Sequence, residues 1–341
     1  MRSNPIRYLV LWLTTDCNLQ CAYCYRGEPP SRSMPVEIAR SALELAAASG
    51  LPFHVQLAGG EPLLEPQLVA ILAEMVREAG WPATLAIQTN GTMLDGCWIE
   101  LCRRYGIGVG VSLDGPPAVQ EQVRGGAAAT FHGLRMLSEA SLPVRITTVL
   151  STANVLRLKE LILSLAVFPT VEGIALDPLV LRGRAVQAQG LVPSNFSIGQ
   201  GIRSMLTSLK LVNTLRTQPI RWRELDAVER ALRGDRPSRA YCHACLGESL
   251  AVHPDGTVYP CSQVVGDPAW AVGTVESVDW RKLRNAYHEV KLRGDCDLCL
   301  LDGRCPGDCP SRLLSNRGLS RHVVCAVYQA IAELLAVREE S

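Results

Sequence analysis

Thirteen cysteines in a chain of 341 residues restrict this protein more than any other feature, because a fold must find a use for that many thiols. Cys17, Cys21 and Cys24 stand together near the start, and Cys97 and Cys102 stand apart. The other eight, Cys242, Cys245, Cys261, Cys296, Cys299, Cys305, Cys309 and Cys325, fall in the last hundred residues. An odd count without a secretory signal argues against a disulfide framework and for metal ligation. The opening segment carries only a short apolar run, 8–13, and no small-residue cleavage site. No uncharged stretch approaches the ~18 to 20 apolar residues of a membrane span. The chain therefore reads as soluble and cytoplasmic, with two separate metal-binding regions.

At roughly 150 residues per domain the length suggests two domains. Up to about residue 177, short β-rich runs alternate with longer helical ones, the pattern of βα units around a parallel sheet. Strands are expected at 6–15, 53–58, 84–89, 107–114, 144–150 and 173–178. Ser33 is placed to cap a helix over 35–48, and Asn154 to open another whose apolar stripe is Leu158, Leu161, Ile162 and Leu165. Six such units are too few to close an eight-stranded barrel. The expected fold class is thus α/β, a partial (β/α)6 TIM-like barrel over 1–215. A helical linker over 216–240, with Arg236-Pro237-Ser238-Arg239 in it, leads to a cysteine-rich domain over 241–341. Asp255-Gly256 signals a hairpin within that domain.

The net charge is +1. Seven arginines lie between Arg216 and Arg239, but Glu224, Asp226, Glu229 and Asp235 are interspersed, as on a solvated helix face. Neither a nucleic acid nor a membrane is expected as a partner.

In open parallel sheets chemistry collects at the C-terminal ends of the strands. Each conspicuous motif of the first half lies there: the cysteine loop after the first strand, Gly59-Gly60-Glu61-Pro62 after the second, Thr89-Asn90-Gly91 after the third, Ser112-Leu113-Asp114-Gly115 after the fourth. The spacing Cys17-x3-Cys21-x2-Cys24 puts three soft thiolates in one short loop, enough for three irons of a cubane, with the fourth iron left open. A zinc site completed by a distant residue is the alternative.

The loop Cys17-Asn-Leu-Gln-Cys21-Ala-Tyr-Cys24 after a first strand resembles the radical S-adenosylmethionine (SAM) enzymes, with Tyr23 at their aromatic position. That resemblance implies a [4Fe–4S] cluster whose open iron binds SAM, and its one-electron cleavage to a 5′-deoxyadenosyl radical. It also implies SAM contacts at Gly59, Gly60 and Glu61, the family's GGE motif, and at Ser112 and Arg124. Thr89-Asn90-Gly91 reads equally as a turn or as a wall of the ligand pocket.

The C-terminal pattern Gly256-x4-Cys261, Cys296-x2-Cys299-x5-Cys305-x3-Cys309 and then Cys325, preceded by Cys242 and Cys245, is similar to the SPASM extension of radical SAM maturases. The resemblance implies two auxiliary [4Fe–4S] clusters, one on Cys242, Cys245, Cys261 and Cys309 and the other on Cys296, Cys299, Cys305 and Cys325, three clusters in all. Paired zinc sites are the alternative, with His243 and His322 nearby. Cys97 and Cys102 are expected to be core thiols.

Enzymes with both halves mostly modify peptides or proteins. The expected activity is therefore that of a maturase that abstracts hydrogen from a ribosomally made peptide or small protein, giving an oxidative modification or a cross-link. A flavodoxin or ferredoxin would supply electrons. Cys17 lies too near the N-terminus for a leader-binding domain before it, so a separate protein would hold any leader. Tyr259-Pro260-Cys261 is followed by Ser262 where sulfatase-activating enzymes carry an acidic base, which disfavours that activity. Gly183-Arg184-Ala185 resembles a motif of enzymes acting on haem-like small molecules, the alternative substrate class. A non-catalytic metal-binding scaffold is a third reading. No general base stands out; Asp114 and Asp177, at strand ends, are the weak candidates.

Overall fold

The structure, a computed structural model, describes residues 5–235, 240–291, 296, 299–316 and 319–336. Strands Tyr8–Thr14 (β1), Phe53–Gly59 (β2), Ala83–Thr89 (β3), Gly108–Ser112 (β4), Val144–Leu150 (β5) and Val171–Pro178 (β6) each pair in parallel with the one before. Helices Val36–Ala47 (α1), Pro66–Glu78 (α2), Gly96–Tyr105 (α3), Pro117–Val123 (α4), Ala127–Glu139 (α5) and Leu158–Leu165 (α6) make the crossovers. This is the α/β partial barrel that the alternation of elements leads one to expect.

The strand pattern shows why the sheet curls this way round. Leu9, Leu11 and Leu13, Val55 and Leu57, and Val109 and Val111 are buried in the core that the helices cover. Their alternates Gln56, Gln88, Ser112 and Thr147 are half-buried on the opposite face. Along β2 to β5 the face that lines the lumen is therefore more polar than the helix-covered one.

Two helix starts differ from expectation. Ser33 does not cap α1; it sits in an isolated bridge opposite Thr14 and its hydroxyl donates to Glu65. Asn154 precedes a short 3-10 turn, and its amide donates to the carbonyls of Asp114 (2.9 Å) and Val149 (2.8 Å), tying the ends of β4 and β5.

The region expected as a linker is mostly barrel. After helix Asn195–Thr214 (α7), the strand Arg221–Trp222 (β7) pairs in parallel with β6, and helix Arg223–Leu232 (α8) follows. Two residues were too few to read as a strand, but Trp222 is fully buried. Residues 236–239 lie outside the described residues. Arg216 is likewise no solvated helix-face residue: it donates to the carbonyls of Phe168 (3.0 Å), Pro169 (2.9 Å) and Val171 (2.7 Å), closing the turn between α6 and β6.

The cysteine-rich part shares the same sheet. Strand Ser249–Val252 (β8) pairs in parallel with β1 along its other edge, and Val258–Tyr259 (β9) returns antiparallel through the expected hairpin. The sheet order is β7-β6-β5-β4-β3-β2-β1-β8-β9. Helices Trp280–Asn285 (α9), Pro310–Ser315 (α10) and Leu319–Ala336 (α11) complete the fold, with α11 against α7 and α8.

Replacing Arg216 by Ala removes charged donors from several carbonyls at once and is expected to lower the unfolding free energy by about 2 kcal/mol. The exposed Arg230→Ala change should stay within about 0.5 kcal/mol. Urea unfolding of the two variants checks this, and equal effects would contradict the bracing role.

Candidate active site

The cysteine loop leaves β1 at a shift in register between Trp12 and Thr14 and is held by neighbours on several sides. Ala22 N donates to Val123 O (2.9 Å), Asn18 Nδ2 to Thr92 Oγ1 (2.8 Å), Asn90 Nδ2 to Asn18 Oδ1 (2.8 Å), and Arg184 N to Cys24 O (3.0 Å). Cys24 N closes a turn on Cys21 O (3.2 Å), and all three cysteines are partly exposed. Burial pushes the Cys17 and Cys21 thiols up, and the Arg124 guanidinium opposes this at Cys21. Soft donors on a braced loop beside a cation suit a thiolate-bound iron–sulfur centre. Among the described residues no three Cys, His, Asp or Glu side chains converge as ligands of a single metal ion. The fit is thus one of donor type and placement.

Gly59 and Gly60 are needed for a reason internal to the fold. Gly59 has φ +129°, and a Cβ on Gly60 would stand 1.8 Å from Asp16 O. Gly60 N and Glu61 N donate to Thr14 O and Asp16 O, each at 2.8 Å, so β2 clamps the root of the cysteine loop. Glu61 is buried; Oε1 accepts from Leu63 N (3.0 Å) and Thr89 Oγ1 (2.6 Å), and Oε2 from Asn90 N (2.8 Å). Burial pushes its carboxyl up, and these donors hold it down in part. Within the fold these three residues thus hold the loop's root, and Thr89 and Asn90 are the partners of Glu61.

The fourth strand's end is similarly committed. Ser112 Oγ accepts from Gln88 Nε2 (3.0 Å). Asp114, 0% exposed, accepts from Val149 N (2.8 Å) and Arg124 Nε (3.0 Å). Burial raises its carboxyl and Arg124 opposes that. Enclosed in this way, Asp114 has no access to a substrate proton, which corrects its reading as a base. Arg124 lies over the Tyr23 ring at 5.4 Å, and the Tyr23 hydroxyl is buried without a hydrogen-bond partner.

Asp177 is corrected for a different reason. Burial works upward on its carboxyl, but Arg223 (2.9 Å) and Arg312 (3.2 Å) outweigh it and hold the group below its ordinary value. Arg312, buried, also donates to Asp308 Oδ1 (3.0 Å) and the Tyr241 hydroxyl (3.2 Å). This network joins the end of β6 to the cysteine-rich part. Nothing in local spacing marked Arg312 or Arg223 as partners of Asp177, because both are distant from it in sequence.

The structure gathers four C-terminal thiols. Cys242 and Cys245 share a proton at 3.9 Å, which drives Cys242 up and Cys245 down to about 6. Cys261 and Cys309 lie close enough to act on them electrostatically, and burial pushes both thiols up, Cys309 to about 12. Cys296 and Cys299 share one turn, Cys305 Sγ accepts from Gly307 N (3.4 Å), and Cys325 is on α11. Of the lone cysteines only Cys102 is a core thiol; Cys97 faces out from α3, contrary to expectation. Finally, Tyr25 follows Cys24, Ser262 follows Cys261, and their hydroxyls stand 3.4 Å apart, with Trp12 Nε1 donating to Ser262 Oγ at 2.9 Å.

Residues 13–162 match the model of the radical SAM superfamily, so this stretch of the chain is similar to those enzymes. Members of that superfamily carry a [4Fe–4S] cluster and SAM. Over 343 aligned residues the chain is 27% identical to an AdoMet-dependent heme synthase of Methanosarcina barkeri, covering 93% of this chain and 94% of that one. It is 23% identical to a serine-type anaerobic sulfatase-maturating enzyme of Klebsiella aerogenes, covering 97% and 86%. The fold matches the solved structure of anSMEcpe with bound AdoMet and a Cp18Cys peptide at a TM-score of 0.75, with 17% identity over 97% of this chain and 100% of that one.

Arg124→Met leaves the carboxylate of Asp114 buried without its cation and is expected to cost about 3–5 kcal/mol. The double change with Asp114→Asn should recover much of that. Thermal unfolding of the single and double variants decides it: a double variant no more stable than Arg124→Met would contradict the pairing.

Proposed function

We propose that this protein is a radical SAM maturase that abstracts hydrogen from a ribosomally made peptide or small protein, leaving an oxidative modification or a cross-link. The observation that carries this reading is the meeting of the two thiol regions at Tyr25 and Ser262, each directly after a cysteine and 3.4 Å apart. In this reading Cys17, Cys21 and Cys24 hold the SAM-binding cluster. Cys242, Cys245, Cys261 and Cys309 hold one auxiliary cluster, and Cys296, Cys299, Cys305 and Cys325 the other, within a SPASM-type region over 241–341. Bound SAM would supply, on receipt of an electron from a flavodoxin or ferredoxin, the radical that takes the hydrogen atom, and the auxiliary clusters would accept the remaining electron of the substrate radical as its proton leaves to solvent.

The protein's own residues do the arranging. Arg124 keeps a positive charge over Tyr23 and beside Cys21, with Asp114 as its counter-ion. The Tyr23 ring, buried with Val123, Leu179 and Ala185, backs the loop between Cys21 and Cys24. Gly59, Gly60 and Glu61 shape the pocket by fixing the loop's root, and Ser112 presents a hydroxyl to the lumen. The polar lumen-facing side chains of β2 to β5 meet the substrate segment while the surrounding core excludes water. No helix among the described residues is long and apolar enough to cross a membrane.

A second reading, a small-molecule enzyme of haem-like cofactor synthesis, is favoured by the full-length similarity to the heme synthase. Anaerobic co-expression with short peptides encoded beside the gene separates the two. Under the first reading the purified protein holds about twelve irons, and peptide masses fall by pairs of hydrogens with the native enzyme but not with Cys17→Ala. Unchanged masses, with 5′-deoxyadenosine still formed from SAM, would move the assignment to a small molecule. A Cys24→Ala variant that still cleaved SAM would overturn the role of the first cluster.

A further inference from the structure

Residues 179–185 leave β6 and run between the two thiol regions, with a distinct set of contacts at each end. At the far end Asn316, which is buried and lies between α10 and α11, accepts from Leu181 N (2.8 Å) and donates to Leu179 O (2.7 Å). Arg182 pairs with Asp267 (3.2 Å). Asn316 comes soon after Cys309 in the chain, and Asp267 soon after Cys261. At the near end Arg184 N donates to Cys24 O (3.0 Å), while its guanidinium reaches Cys21 O (3.4 Å) and pairs with Glu28 (3.2 Å). Gly183 has φ +55°, and a Cβ there would stand 2.5 Å from Gly27 N and 2.6 Å from Cys24 O. Between the ends, Leu179 and Ala185 pack with Tyr23 in a small core.

We propose that residues 179–185 are a positioning strap through which the C-terminal thiol region fixes the Cys21–Cys24 turn, with Asn316 as its anchor and Gly183 and Arg184 as its grip. The inference rests on the reading of Cys17, Cys21 and Cys24 as ligands of the SAM-binding cluster. The physical argument is that a three-cysteine loop has too few internal hydrogen bonds to hold its own shape. The carbonyls of Cys21 and Cys24 take donors from the strap, and the strap has no regular strand partner of its own over these residues. Its conformation is set by the clamp at Asn316. A change there, on the other side of the strap from the thiols, therefore reaches the loop through the backbone.

Two measurements on the full chain test this. In the metal-free reduced protein, Asn316→Ala is expected to speed alkylation of Cys21 and Cys24 by iodoacetamide by roughly threefold to tenfold, with Cys102 unmoved as the internal control. In the iron-loaded protein the same variant is expected to keep its iron and to weaken SAM binding, followed by the change in the electron paramagnetic resonance spectrum, by roughly threefold to tenfold. Arg184→Gln should act likewise, and Arg184→Lys, which keeps a cationic donor, should recover part of the effect. Should Asn316→Ala fail to fold, Arg182→Gln, which breaks only the partly exposed pair with Asp267, takes its place. Unchanged alkylation and unchanged SAM binding in these variants would overturn the strap. A native protein whose spectrum does not respond to SAM would instead overturn the cluster reading, and the alkylation rates would still decide whether the strap grips the loop.

Discussion

Everything in this molecule hangs from the C-terminal end of β1. The strand is buried on both faces, with Leu9, Leu11 and Leu13 in the main core and Val10 and Trp12 against Ala251, Tyr259, Val264 and Val265. It is also hydrogen-bonded on both edges, to β2 and to β8. A strand so enclosed cannot slip by one residue without turning its leucines into the lumen. Its end, at Thr14 to Asp16, is then pinned by Gly59, the last residue of β2, and by Gly60, where a Cβ would stand 1.8 Å from Asp16 O. The cysteine loop starts from a strand held on both edges and both faces, which suits a site whose geometry has to be held tightly.

The barrel half was legible because its signals are local. Short apolar runs, helical stripes and turn residues recur in order, and each strand formed within a few residues of where the pattern placed it. The thiol spacings were equally legible, since C-x2-C fits within one turn of chain, as Cys242 and Cys245 show. Side-chain roles at the strand ends were not. Asp114 and Asp177 look alike in sequence, an aspartate at the end of a strand. One is sealed by Val149 and Arg124, and the other is drawn to Arg312, far along the chain. Cys97 and Cys102 lie on one helix and face opposite ways, which a stripe read from so short a segment did not resolve. Glu61 and its glycines stood out in the sequence as a motif, whereas their contacts within the fold, with the loop's own root and with Thr89 and Asn90, are not written in it.

Both thiol regions carry the same electrostatic arrangement. Burial alone raises Cys21, Cys261 and Cys309, since it disfavours the charged thiolate. In each place a guanidinium opposes that effect, Arg124 at Cys21 and Arg312 at Cys261 and Cys309. Each guanidinium is itself held by a carboxylate, Asp114 in the first case, Asp177 and Asp308 in the second. A buried ion pair adds little net stability, because the cost of removing both charges from water offsets their attraction. Its use here is positional. Arginine stays charged at every physiological pH, so the field at the thiols depends on where the guanidinium is kept and hardly at all on proton concentration. The carboxylates that sequence alone offered as bases serve as the counter-ions that keep those two cations in place.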